Sequence, residues 1–392
     1  MKNSILRAAA AAYPGAVTLR RKLHANPELS GHETKTARLV HESLARLGLS
    51  PRYCCGATGV VANVTNGKGK TVALRADLDA LPIVEKTGLK FSSKIKGVTH
   101  ACGHDLHTAI LVGAAQALIG LKDLWHGTVV LLFQPSEEMA PGGAITMLRE
   151  GIFPKHADAV FGLHVNPQHV TGTVGLKWGA DYAGVADFDV IVKVKGGHGA
   201  EPDTTPDPIV CCCAMIQQLQ TLVSRETEPG DTSVVTVGTI HAGTKQNIIP
   251  TEARFSGTIR ALSEGHLGFL STRLKEIVLA IARSFRAAAE VTFEKAYPPG
   301  YNDPALTTRA QAVLSGVLGA RNVAPRTVPT MLAEDFAYFQ KKAPGVYVHL
   351  GVRPVRKERV PGIHTPDFNP QERAMLYGIA VHASLAIDIL KK

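Results

Sequence analysis

Aromatic side chains are scarce in this chain, at 6% of 392 residues with two tryptophans among them. No uncharged apolar run reaches the roughly 18 residues that a membrane-spanning helix requires, so a soluble globular protein is expected. A secretory leader is not expected either. MKNSILRAAAAAYPG starts with a basic residue, but Arg7 interrupts it and no apolar stretch of adequate length follows. The segment is expected to form an amphipathic first helix instead. The cysteines do not form the spaced pattern of a disulfide scaffold. They stand as the pair Cys54-Cys55, a lone Cys102 and the triplet Cys211, Cys212 and Cys213, and adjacent cysteines seldom meet disulfide geometry with one another. A reducing, cytoplasmic compartment is the expectation, and the triplet reads as helix packing. There is also no concentrated basic surface with aromatics. The 43 basic and 33 acidic residues leave a formal charge of +10, but the one visible cluster, RPVRKER at 353–359, has no aromatics interleaved. Nucleic acid is therefore not an expected partner, and the dispersed excess suits general solvation.

What is present is length and patterning. With 45% hydrophobic and 19% charged residues, 392 positions suffice for two domains. AVTLRRKLHANPELSGHETKTARLVHESLARLGL reads as helix, loop, helix. GVVANV, KTVALRAD, GTVVLLFQ and DAVFGLHV then read as strands, with the apolar helix TAILVGAAQALIGL among them. Strands separated by helices predict an α/β fold with a mainly parallel sheet. In such sheets ligands gather beyond the carboxyl ends of the strands.

From about Val185 the texture changes to strand, helix (207–225), strand, strand, helix, strand. That βαββαβ order predicts an inserted ferredoxin-like α+β domain. Helix, strand and helix then resume after YPPGYND, so the first domain is expected to be discontinuous, at 1–184 and 296–392, around an insertion at 185–295.

The strand ends carry the chemistry. RADLDALP supplies Asp77 and Asp79, HACGHDLH supplies Cys102 and His104, FQPSEE supplies Glu137 and Glu138, GLHV supplies His164 and GIHTPDF supplies His364. Taken alone, HACGHDLH could be a zinc site, a redox cysteine or a polar loop. Each histidine or glutamate alone is an ordinary core or solvated residue. Together, Cys102, His104, Glu138, His164 and His364 offer the S, N and O donors that two zinc-like ions about 3.5–4 Å apart would need.

These motifs, with RRKLHANPELS, GGHGAEPD, QNIIP and AEDFAYF, run in order over nearly the whole length. They resemble the M20 metallopeptidase family, and within it the N-acyl-amino-acid amidohydrolase branch of hippurate hydrolases, aminoacylase-like enzymes and auxin-conjugate hydrolases. The resemblance implies a catalytic domain with two divalent metal ions, zinc first, with manganese, cobalt and nickel able to share such donors. It implies a lid and dimerisation domain in the insertion, hence a homodimer or homotetramer, with domain closure completing the site. Cys102 would bridge the metals, His104, His164, Glu138 and His364 would be ligands, and Glu137 would act as general base on a metal-bridging water. Asp79 would orient a ligand imidazole, while Asp77 stands where other branches place a histidine ligand and reads as support.

His100 and His107 are expected to be bystanders, His107 beginning or bracing a helix. His198 resembles the histidine that helps stabilise the oxyanion, often from a partner subunit. Asn247 and Arg260 resemble contacts to a substrate carboxylate, although each also suits an ordinary turn or strand end. The implied reaction is hydrolysis of an N-acyl amino acid, hippurate-like or N-acetylated, to a carboxylic acid and a free amino acid. A dipeptidase or carboxypeptidase would use the same machinery, and a non-catalytic metal-binding protein is a remote third reading.

Overall fold

Two apolar periodicities, of strands alternating with helices and of strands alternating face by face, separate the chain into two units in this computed structural model. It describes residues 1–391 apart from the side chain of Lys295. One unit comprises 1–179, 301–328 and 335–392, and the other 180–300 and 329–334. The expected insertion at 185–295 is thus a few residues too short at each end and omits 329–334. That segment has no periodicity to reveal it. It joins by hydrogen bonding: Thr330 N–H donates to the Asp181 carbonyl, and the Leu332 and Met331 carbonyls accept from Ala183 N–H and Arg260 Nη1.

The first stretch of chain forms α1 (Lys2–Ala25), α2 (Thr34–Arg46), β1 (Arg52–Cys54), β2 (Gly59–Asn66), β3 (Thr71–Asp77), α3 (His104–Gly120), β4 (Gly127–Gln134), α4 (Gly143–Arg149), β5 (Ala159–Val170) and β6 (Val174–Leu176). Next come β7 (Gly179–Tyr182), β8 (Gly184–Lys193), β9 (Gly197–His198), α5 (Pro208–Leu219), α6 (Thr221–Arg225), β10 (Ser233–Ala242), β11 (Ile248–Ile249), β12 (Glu252–Ala261), α7 (Glu264–Ser284) and β13 (Ala288–Tyr297). The last stretch forms β14 (Gly300–Asn302), α8 (Pro304–Leu318), β15 (Val323–Pro325), α9 (Ala337–Gln340), β16 (Gly345–Arg353) and α10 (Ala374–Ile389).

The larger unit is built on an eight-stranded sheet of order β1-β2-β4-β3-β5-β16-β6-β15. Its centre is parallel, with β4, β3, β5 and β16 running the same way, while β1, β2 and β6 pair antiparallel. Strands covered on both faces read as unbroken apolar runs, and β16 is buried from Gly345 to Val352. Helices α1, α3 and α10 pack on one another, and α3 and α10 also pack on the central strands. α3 and α10 are apolar around most of their circumference and accordingly almost wholly buried. The parallel register sets Asp77 and Gln134, the last residues of β3 and β4, opposite one another, and Arg75 opposite Gly162 of β5, so that His164, two residues on, stands level with them.

The smaller unit has a four-stranded antiparallel sheet of order β10-β12-β8-β13. Its alternating inner residues, such as Phe188, Val190 and Phe255, share one core with Cys211, Cys212 and Met215 of α5 and with Leu270, Leu274 and Val278 of α7. This is the ferredoxin-like plan expected from the order of elements. Helix α5 is started by Asp207, whose carboxylate accepts from the N–H groups of Ile209 and Val210, with Pro208 in the first turn. The single helix expected over 207–225 is two: Gln220 N–H bonds back to the Gln217 carbonyl, tightening the last turn of α5 before α6 begins.

Candidate metal centre

Local backbone geometry places the donors. β3 ends at Asp77, and the chain leaves the sheet with Asp79 still buried. Gly103 precedes α3 at φ 92°, and a Cβ there would lie 2.6 Å from Val165 Cγ2. Glycine therefore lets the helix begin at His104 hard against β5. β4 ends in Gln134, and the turn that follows puts Ser136 at φ 54°. Gly143, whose Cβ would fall 1.9 Å from the Pro135 carbonyl oxygen, lets α4 close on that turn. His364 arrives from the loop after β16 at φ 61°, its N–H donating to the Ala101 carbonyl.

The five expected donors come together. Cys102 Sγ lies 3.3 Å from His164 Nε2 and 3.3 Å from His364 Nε2. Glu138 Oε1 is 3.1 Å from His364 Nε2 and 3.9 Å from His104 Nε2. Two sets of three donors, each within 4.8 Å of one another, share only Cys102: one adds His104 and His164, the other Glu138 and His364. Glu137 lies beside them, with an oxygen in a third such set with His104 and Glu138.

Hydrogen bonds behind the donors fix which ring nitrogen faces the centre. Asp79 Oδ1 is 3.1 Å from His104 Nδ1, and its Oδ2 accepts from Ser30 Oγ at 2.7 Å and from the Glu138 N–H at 2.9 Å. One carboxylate thus orients both the His104 imidazole and the glutamate turn. His164 Nδ1 donates to the Val165 carbonyl at 2.8 Å, leaving Nε2 for the centre. His107 has the opposite outcome. Its Nδ1 faces Asp77 Oδ1 at 2.7 Å while its Nε2 accepts from the Val165 N–H at 3.0 Å, so both nitrogens are spent. Asp77 also accepts from Arg75 at 2.7 Å and stands 3.8 Å from His104 Nε2. His100 is buried with neither ring nitrogen hydrogen-bonded, and burial holds its pKa down to about 4.

The donor set fits a cation. His104 Nε2 is buried without a hydrogen-bond partner, and such an orphan costs about 1–3 kcal/mol unless something satisfies it. Burial and then the carboxylates of Glu138, Glu137 and Asp77 push the Cys102 thiol well up. Burial alone would lower His104, but Asp77, Asp79 and Glu138 outweigh it and raise the imidazole to about 10. Excess negative charge around a buried thiol is the environment that a divalent cation reverses, holding the sulfur as thiolate and the imidazole neutral.

Several supports went unseen in the sequence. Ser136 N–H, two residues before Glu138, donates at 2.7 Å to Glu33 of the NPELSGHE segment. Asp335 of AEDFAYF accepts from Arg75 at 2.9 Å, Gln134 at 2.7 Å and the Ala144 N–H at 3.0 Å, tying the ends of β3 and β4 together. Asp105, beside His104, is gripped from α1 by Arg20 and His24, each at 2.8 Å. Only the quoted motifs hinted at these residues, without saying what they touch.

The other expected residues lie in the smaller unit. β9 pairs with β11, setting His198 opposite Ile248, and Gly199 N–H donates to the Asn247 carbonyl at 2.9 Å. His198 and Asn247 are therefore neighbours, both exposed. Arg260, on β12, spends one Nη on the Met331 carbonyl at 2.9 Å.

The chain is 40% identical over 380 residues to thermostable carboxypeptidase 2 of Saccharolobus solfataricus, covering 96% of this chain and 95% of that one. It is 40% identical over 337 residues to N-acetyl-L-cysteine deacetylase of Bacillus subtilis, covering 86% and 80%. Among solved structures it resembles the Bacillus subtilis YXEP protein, a dinuclear metal binding peptidase from the M20 family, with 31% identity, a TM-score of 0.84 and coverage of 97% and 99%. The family model for peptidase family M20/M25/M40 matches residues 73–388. The chain belongs to that family.

Proposed function

We propose that this protein hydrolyses the amide bond of N-acyl amino acids, hippurate-like or N-acetylated, releasing a carboxylic acid and a free amino acid. The observation that carries the reading is the pair of donor triads sharing Cys102, with Glu137 beside them. Cys102, His104, Glu138, His164 and His364 would hold two divalent cations, with zinc first because thiolate and imidazole donors suit it. Bound there, the pair supplies Lewis acidity, polarising the amide carbonyl and acidifying water.

Glu137 is the general base in this reading. It takes a proton from the attacking water as oxygen bonds to the carbonyl carbon, and delivers a proton to the departing nitrogen as the C–N bond breaks. Its turn is held by the Ser136–Glu33 hydrogen bond. Asp79 keeps the proton of His104 on Nδ1, so that Nε2 presents its lone pair. We assign His198 to oxyanion stabilisation and Asn247 and Arg260 to the substrate carboxylate on the strength of their motifs. For His198, exposure and a ring whose Nδ1 accepts from Ala200 N–H support the assignment, since Nε2 is left for substrate. We also assign the smaller unit a lid and dimerisation role, with the exposed edge strand β10 as the contact between copies, and the protein a cytoplasmic location, in keeping with its free cysteines.

A second reading, a carboxypeptidase or dipeptidase, is favoured by the 40% identity to a relative named carboxypeptidase. A non-catalytic metal-binding protein would have no use for Glu137. The test is release of free amino acid from hippurate, an N-acetyl amino acid and a simple dipeptide, with and without chelator, alongside metal analysis. The reading expects chelator-sensitive turnover of the N-acyl substrates above that of the dipeptide. Preference for the dipeptide would favour the second reading, and chelator-resistant hydrolysis would contradict both.

A further inference from the structure

One further cluster of metal-capable donors has no part in the chemistry above: the adjacent cysteines Cys54 and Cys55 with Glu150. Cys54 ends β1 in extended backbone at φ −145°, ψ 176°, and Cys55 turns into the left-handed region at φ 52°. In a continuing strand the two side chains would leave on opposite faces. Here the turn brings them together, and one ligand atom from each of Cys54, Cys55 and Glu150 lies within 4.8 Å of the others. Glu150, just beyond α4, is anchored in place because its carboxylate accepts from the Cys55 N–H at 2.8 Å.

The geometry favours a shared ligand over a disulfide. Adjacent Cα atoms across a trans peptide lie about 3.8 Å apart, short of the roughly 4.4–6.8 Å that disulfides ordinarily span, and both thiols are free. Two soft sulfurs and one carboxylate are a donor mix that zinc and cadmium accept. Cys54 is buried, Cys55 half-buried and Glu150 exposed, and zinc held by three protein donors commonly takes water as its fourth ligand.

We propose that Cys54, Cys55 and Glu150 form a separate, mononuclear site for a thiophilic divalent cation, Zn2+ or Cd2+. On binding, each cysteine releases its proton to solvent and the cation gains two thiolates and a carboxylate, so affinity rises with pH. The site stands behind the base-bearing turn: a Cβ on Gly59 would lie 2.9 Å from Cys54 Sγ and 3.0 Å from Pro135 Cδ, and Pro135 is two residues before Glu137.

The test is equilibrium dialysis of the full chain, kept reduced, against Zn2+, followed by metal analysis. Wild type should hold one zinc per chain more than Cys55→Ser, and Glu150→Gln should bind that zinc at least tenfold more weakly. The difference between chains carries the proposal, so it stands or falls separately from the number of ions at Cys102. As a second measurement, which needs no variant, zinc should protect Cys54 and Cys55 from alkylation in wild type. Equal zinc content in wild type and Cys55→Ser, or alkylation of Cys55 that zinc does not slow, would overturn the proposal.

Discussion

His104 and His107 stand three residues apart at the start of one helix and meet opposite fates because of what lies behind each ring. Asp79 binds one nitrogen of His104 and leaves the other orphaned toward the centre, whereas Asp77 and the Val165 N–H consume both nitrogens of His107. Asp79→Asn should therefore weaken metal binding about 10–100-fold, measured by chelator competition, and unchanged affinity would remove Asp79 from its orienting role. Glu33 offers a second test. Burial first, and then the neighbouring Asp79 carboxylate, push its pKa up to about 7 against its backbone hydrogen bonds. Its folded value lies above the unfolded one near 4.5. The stability it contributes is thus complete below about 4.5 and is lost as pH rises through about 7. Chelator-treated wild type should lose stability relative to Glu33→Gln between about pH 5 and 8, by up to about 3 kcal/mol. Parallel stability curves would contradict this. The residues that meet at the centre were legible because each lies at the end of an apolar run or beyond one. Glu33, Asp105 and Asp335 were not, since their partners lie 81 to 260 positions away and no local pattern marks such a pair.

Among the elements, β3 and β4 carry the centre, and the buried Arg75–Gln134–Asp335 network joins their ends. Removing one member of a buried ionic network leaves the others uncompensated at about 3–5 kcal/mol. Asp335→Ala should lower unfolding free energy by that order in denaturant titration, and a loss under 1 kcal/mol would show that Arg75 is satisfied by Asp77 and Gln134 alone. Most elements could be read from periodicity: GTVVLLFQ is β4 and DAVFGLHV opens β5. The extension of β5 to Val170 could not, because NPQHV is polar and is held in strand by pairing with β16, which reaches as far as Val170 opposite Arg353. The break between α5 and α6 was equally invisible in a continuous helical pattern.

For the whole molecule, the order of elements was enough to predict a parallel-centred sheet unit and a βαββαβ unit, but not the segment 329–334, which belongs to the smaller unit and is bound to it by a few hydrogen bonds. The smaller unit's sheet ends in β10, where Ile240 is 47% exposed, and an exposed edge strand is a template for pairing with another chain. If β10 joins two copies, sedimentation should find a dimer in wild type and a monomer in Ile240→Lys; a wild-type monomer, or a dimer unmoved by the substitution, would place the contact elsewhere or nowhere. The central claim is that Glu137 acts as the base beside a cation pair held by its neighbours, and it is tested most directly by kcat and metal content of Glu137→Gln measured together. The expected result is unchanged metal content with kcat lowered about a hundred- to ten-thousand-fold. A kcat within a few-fold of wild type, with the metal still bound, would contradict it.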